Sequence, residues 1–244
     1  MQRLAESLGD ALSLSTRVER VSRAKANGHS GFDVQVSRRG RAETLNADVL
    51  VIATPTKAAA EIAGQLSATL RDLLERVEYA PVAVVGTGYK REQVAQAVNG
   101  FGFLVPRKEK LSVLGTVWSS SLFPGRAPEG MVSFASFVGG ATNPQVMDLG
   151  DAQIAGDAER EVARVLRISG APVTRMLRRW PRALPQYNLG HGKIVAGLEQ
   201  ELRHFPGLFL AGNYLSGPSV GSCAEQAEKT AHAVQEFLSA QASV

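Results

Sequence analysis

The chain has 244 residues, 44% of them apolar, with a formal charge of +4 and a pI near 9.4. That content can bury one large core or two lobes, and no run approaches the roughly 18 to 20 unbroken apolar residues that a membrane-spanning helix needs. The mild basicity comes without a basic run interleaved with aromatics, so nucleic acid is not an expected partner, and the lone Cys223 excludes an internal disulfide framework and a Cys-based zinc site.

Met1 to Asp10 is polar and amphipathic, without the apolar core of a secretory signal, so a soluble cytoplasmic protein is expected. "MQRLAESLGDAL" spaces Leu4, Leu8 and Leu12 for a helix. "TRVERV", "FDVQVSR" and "DVLVIAT", separated by "ANGHSG" and "RRGRAE", then read as a β-meander ending in a buried strand, Val49 to Ala53. Pro55 stops that strand, and Thr56 to Arg76 reads as one or two helices.

A second region opens at Tyr79 and Pro81. "PVAVVGTGY", "FGFLVP", "LSVLGTVWS" and "MVSFASFVG" predict a mostly antiparallel sheet, with a further strand near Val173 to Arg179. Asp151 to Arg167 predicts a helix whose inner face holds Ile154, Ala158, Val162 and Val165 or Leu166. The last segment returns to α/β character: helix Lys193 to Leu202, strand Leu208 to Ala211, a glycine loop, and a helix from Gly221 to Leu238. The expected boundaries are 1–78 plus 186–244 for one domain and 79–185 for an insertion.

"VAVVGTGYKRE" imitates the start of a dinucleotide fold, but the third glycine of that fingerprint would fall on Arg91, so the segment reads as a sheet strand. His29, His191, His204 and His232 are scattered without ligand spacing, which predicts no metal site, and no G-x-S-x-G elbow supports hydrolase chemistry. "RMLRRWPR" gathers Arg175, Arg178, Arg179 and Arg182 around Trp180 as an anion-facing surface. In "LFLAGNYLSGPSVGSC" a strand runs through glycines into a helix start, which is either a cradle for a phosphate or electron-rich group or an ordinary β-to-α turn.

Five segments in order, "FGFLVPRKE", "LGTVWSSSLFPGRAPEG", "FASFVGGATNP", "RRWPRALPQYNLGH" and "FPGLFLAGNYLSGPSVGSC", resemble the C-terminal half of FAD-dependent protoporphyrinogen oxidases of the haem-pathway type, in the flavin amine-oxidase-like superfamily. The resemblance implies an incomplete Rossmann-like FAD-binding domain with an inserted antiparallel-sheet substrate domain, a mixture of α/β and α+β. It implies flavin contacts at Gly212, Asn213, Pro218, Ser219, Val220 and Gly221, at the backbone of Val18, and at Trp180 beside the isoalloxazine. Leu104, Val117 and Phe137 would line the porphyrinogen pocket. No catalytic side chain is assigned, and O2 is the implied electron acceptor.

The family's opening βαβ unit with G-x-G-x-x-G does not occur in these residues, so the resemblance implies roughly half an enzyme: a truncated product, an excised segment, or one piece of a split protein whose partner carries the N-terminal half. Coproporphyrinogen oxidation and a non-catalytic docking module stay open as alternatives, as do peripheral membrane association and a homodimer.

Overall fold

The computed structural model describes residues 2–24 and 31–242; His29 and all but the last residue of the "ANGHSG" turn lie outside them. In chain order the elements are α1 (Gln2–Leu8), β1 (Thr16–Arg23), β2 (Phe32–Arg38), β3 (Arg41–Ala47), β4 (Leu50–Ile52), α2 (Thr56–Ala63), α3 (Ala68–Glu75), β5 (Tyr79–Lys90), β6 (Gly102–Leu104), β7 (Val113–Val117), α4 (Ser119–Leu122), β8 (Met131–Gly139), α5 (Asp151–Leu166), β9 (Thr174–Pro185), α6 (His191–Leu202), β10 (Leu208–Leu210) and α7 (Val220–Ala242), with short 3-10 turns between. They divide into two compact units, Met1–Glu78 with Gln186–Val244, and Tyr79–Pro185.

In the first unit β1, β2 and β3 form an antiparallel sheet. β2 alternates as a half-buried strand must: Phe32, Val34 and Val36 turn inward while Gln35 stays exposed. The meander differs from the expectation at its third strand. That strand is β3, in what reads as turn, because "RAETLNA" is exposed along almost its whole length and carries no apolar alternation; pairing with β2 alone forms it. The Val49–Ala53 segment is shorter, Leu50–Ile52, and leaves the meander to pair in parallel with β10, Leu50 opposite Leu208. It is not a buried strand throughout, since Val51 is exposed.

Helices complete this unit. Ser67 caps α3 by accepting the Leu70 amide at 3.2 Å, and its hydroxyl donates to Glu201 of α6 at 2.7 Å. Leu70, Leu74, Ile194 and Leu198 are buried, as are Ala59, Ala60 and Ala63 on α2. Two features are unlike a finished α/β layer, in which parallel strands are covered on both faces. The parallel sheet has only two strands of three residues each. The 23-residue α7 has Thr230 as its sole buried residue among those described, whereas a helix of that length ordinarily buries a wide apolar stripe.

The second unit is a five-stranded antiparallel sheet in the order β6-β7-β8-β5-β9. Period-2 alternation gives it two faces. On one, Val85, Tyr89, Phe134 and Val138 pack with Ile154, Ala158, Val162 and Leu166 of α5. Each of these large side chains contributes about 1.5 to 3 kcal/mol relative to exposure. The Glu161 carboxylate on α5 fastens the start of β7 by accepting from the Ser112 amide (2.8 Å), the Ser112 hydroxyl (2.9 Å) and the Val113 amide (3.0 Å). The opposite face carries exposed and half-buried residues, with Leu104 and Trp180 exposed and Val84, Val117 and Phe137 half-buried.

Gly86 and Gly88 serve this sheet. A Cβ on Gly86 would lie 2.8 Å from Met176 Cγ, and one on Gly88 2.6 Å from Thr174 Cγ2, so the absent side chains make room for neighbours across β9. The β9 strand runs on to Pro185, beyond the expected end at Arg179, and α6 starts at His191, two residues before the expected Lys193.

Candidate functional site

The uncovered sheet face of the second unit is ordered by strand register. Leu104 on β6 stands opposite Gly115 on β7, Gly115 opposite Phe137 on β8, Phe137 opposite Val84 on β5, and Val84 opposite Arg178 on β9. Directly opposed residues share a face, so one row crosses the whole sheet. The next row runs Gly102, Val117, Ala135, Gly86 and Met176. Val82 and Trp180 are paired beyond the first row, and together with Val84, Phe137, Ala183 and Leu184 they line an apolar hollow of about 310 Å³.

The structure therefore brings Leu104, Val117, Phe137 and Trp180 onto one face of the sheet, a floor of small and apolar side chains. Leu104 is 86% exposed and Trp180 47%, so this face presents apolar surface to solvent. Glycine at position 115 keeps the floor low: a Cβ there would sit 2.6 Å from the Phe103 carbonyl oxygen and 3.1 Å from Leu104 Cδ2.

The arginine cluster behaves differently from the expectation of one anion-facing surface. Arg175 pairs with Glu159, and Arg179 pairs with Asp151 while also donating to the Met147 and Leu149 carbonyls. Both are consumed by elements of the α5 side. The Glu159 ion pair raises the Arg175 pKa above its ordinary value. Arg178, with the opposite parity, stacks its guanidinium 5.1 Å from the Trp180 ring centroid.

The other expected residues lie in the first unit. Gly212 and Asn213 follow β10, Pro218 and Ser219 complete the loop, and Val220 and Gly221 open α7, one residue before the expected start. Two residues to which the sequence assigns no role at this site hold the loop, and both lie in the quoted "RRWPRALPQYNLGH". The Tyr187 hydroxyl donates to the Asn213 carbonyl, and His191 Nε2 donates to the Tyr214 carbonyl at 2.8 Å. The two rings meet edge to face, 4.6 Å apart.

The glycines of the loop separate by cause. A Cβ on Gly212 would lie 2.6 Å from Tyr214 Cε1, and one on Gly217, at φ +154°, 2.6 Å from Ser222 Oγ, so the chain's own packing demands both. A Cβ on Gly221 would meet only Ser219 Oγ, at 3.8 Å. Among the described residues no neighbour requires glycine there. Ser219 takes the Ser222 amide at 3.0 Å, and the first amides of α7 have no intrahelical acceptor. A helix start of this kind favours an electron-rich group.

Val18 sits on β1 opposite Val36, where the ladder register slips before Arg20. Among the described residues no group of His, Cys, Asp or Glu could hold a metal ion, and no helix is long and apolar enough to cross a membrane.

The family described as flavin containing amine oxidoreductase matches residues 1–235. Among curated relatives, the chain is 32% identical to protoporphyrinogen oxidase 1, chloroplastic, of Spinacia oleracea over 97% of this chain and 43% of that protein. It is 28% identical to coproporphyrinogen III oxidase of Bacillus subtilis over 93% of this chain and 47% of the relative. The chain thus spans a little under half the length of these relatives. The fold is that of cyclohexylamine oxidase from Brevibacterium oxydans, with a TM-score of 0.71 at 17% identity over 98% of this chain and 52% of that one. The match over almost the entire length makes this chain a member of the flavin containing amine oxidoreductase family.

Proposed function

We propose that this chain is the C-terminal portion of an FAD-dependent oxidase acting on protoporphyrinogen. The uncovered sheet face of the second unit receives the macrocycle, and the loop and helix start at Gly212 to Gly221 receive part of the flavin. The observation that carries the reading is the row from Leu104 through Gly115, Phe137 and Val84, with Trp180 beside it. A tetrapyrrole is a flat, largely hydrocarbon ring, and buried apolar area supplies its affinity. A sheet face with glycine and alanine between larger apolar side chains matches that shape.

The residues of this chain bind and orient. Leu104 and Phe137, on either side of Gly115, give the ring two apolar contacts in one row, and Val117 extends the floor in the next. Trp180, the residue expected beside the isoalloxazine, borders the hollow that Phe137 also lines. Around the cofactor, the amides of Val220 and Gly221, which have no intrahelical acceptor, and the positive dipole end of α7 suit the electron-rich part of a flavin, Gly221 leaves room for close approach, and Val18 would meet the nucleotide end through its backbone. Tyr187 and His191 keep the loop carbonyls turned toward themselves and so fix the loop's path. A flavin held there would supply the hydride-accepting chemistry for oxidation of the porphyrinogen, with O2 as the electron acceptor.

Coproporphyrinogen is the second substrate reading, favoured by the 28% identity to the Bacillus subtilis coproporphyrinogen III oxidase. Hydrogen–deuterium exchange with and without protoporphyrin IX tests the placement. Protection is expected in β6, β7, β8 and β9. Protection confined to the 212–221 loop, or none, contradicts it.

A further inference from the structure

We propose that Arg178 is a carboxylate-binding residue of the uncovered sheet face, so that the face selects a flat apolar ring carrying acidic arms over the same ring without them. This inference rests on the reading of the face given above and adds to it the chemistry at the ring's edge.

Arg178 is set apart from its neighbours by strand parity. Arg175 and Arg179 turn toward the α5 side and are committed to Glu159 and Asp151. Arg178 faces the other way, opposite Val84. Within the paired register from Thr174 to Trp180, and across the strands facing it, every other residue of that face between Leu104 and Arg178 in the same row is glycine or apolar. No carboxylate and no hydrogen-bond acceptor engages Arg178 among the described residues. A guanidinium at the rim of an apolar surface with its planar fork of donors unused is matched to a carboxylate, which it binds through two parallel hydrogen bonds.

The stacking on Trp180 pre-organises the group. At 5.1 Å from the ring centroid the guanidinium is attracted by the indole face, which restricts the long side chain before any ligand arrives. Arg178 also stands two strand spacings, about 10 Å, from Phe137 in the same row. Phe137 can hold the body of a ring while Arg178 meets a substituent at its periphery. A phosphate would satisfy the same fork, but an apolar floor reaching from Leu104 to Trp180 calls for a ligand that is mainly ring with charge at its edge.

The test is titration of the purified 244-residue chain with protoporphyrin IX as the free acid and as the dimethyl ester, read by quenching of tryptophan fluorescence. The wild-type chain is expected to bind the free acid about tenfold more tightly, on the scale of a charge-assisted bidentate contact. Arg178→Ala should bring the free acid down to the affinity of the ester and leave the ester unchanged. Arg178→Lys should recover part of the difference, because a point charge replaces the fork. Circular dichroism of both variants should match wild type, as expected for an exposed position. Equal binding of acid and ester by the wild type, or a difference that survives in Arg178→Ala, overturns this inference and leaves the reading of the face standing. Absence of binding by either porphyrin overturns both.

Discussion

Leu104 and Phe137 share one cross-strand row with only Gly115 between them. The Leu104 side chain leans over that glycine, its Cδ2 3.1 Å from where a Cβ on Gly115 would lie, while Phe137 borders the apolar hollow with Val82, Val84 and Trp180. Phe137→Ala should remove one wall of that hollow without disturbing the core on the α5 side. Its thermal midpoint should stay near wild type, while protoporphyrin binds more weakly by about 1 to 3 kcal/mol, the scale of one large apolar side chain. Unchanged affinity in a fluorescence titration would count against the hollow as a binding surface.

The glycine loop allows a paired comparison. Gly217→Val places a branched side chain at φ +154° and 2.6 Å from Ser222 Oγ, so it should destabilise the first unit by about 1 to 3 kcal/mol. Gly221→Val enters open space and should change stability by no more than about 0.5 kcal/mol. When the chain is joined to a nucleotide-binding segment of the family, however, Gly221→Val should lose flavin. Urea melts and flavin content measured on both variants separate the two glycines. Normal flavin retention in Gly221→Val would remove the cofactor from this helix start.

Burial, with the neighbouring Glu159 carboxylate second, raises the Tyr89 phenol above its ordinary value of 10.0. The folded state therefore holds that proton more tightly than the unfolded state. The stability gained is present in full below the unfolded value and is lost as pH rises through the folded one. Thermal midpoints taken from about pH 8 to about pH 11, spanning the ordinary phenol range, should show a fall at the alkaline end that is shallower in Tyr89→Phe. Identical profiles would contradict the direction of the shift.

Much of the second unit is readable in the sequence because its strands obey alternation: Val132, Phe134 and Val138 on one parity of β8, Ala135 and Phe137 on the other. Parity also carries the difference between Arg178 and its two neighbours, once β9 is recognised as a continuous strand. The β3 strand is not legible, since nothing in "RAETLNA" marks a face. Nor is the pairing of β4 with β10, which joins residues more than 150 positions apart. The assignment of Leu104, Val117 and Phe137 to a substrate comes from family likeness; periodicity alone gives three strand residues. Register is what sets them on one surface.

The leucines near the start of the chain form another open apolar feature. Leu4, Leu8, Leu12 and Leu14 are all exposed, Leu14 by 73%, and α1 buries no residue. Self-association at micromolar concentration is expected in sedimentation velocity, with strong binding of an environment-sensitive dye. The double variant Leu4→Ser, Leu8→Ser should reduce both while leaving the thermal midpoint within about 0.5 kcal/mol equivalent of wild type. A monomer that binds no dye would be inconsistent with this surface.

The central claim, that this chain supplies the substrate face and part of the cofactor seat of a porphyrinogen oxidase, is tested most directly by joining it to a family nucleotide-binding βαβ segment and following O2-dependent appearance of porphyrin fluorescence from protoporphyrinogen. The 244 residues alone should purify colourless, because they contain no G-x-G-x-x-G cradle. The joined protein should retain flavin, form porphyrin, and show a lowered kcat/KM in Phe137→Ala. A joined protein that holds flavin stoichiometrically and oxidises amines, yet leaves protoporphyrinogen and coproporphyrinogen unchanged, would contradict the account.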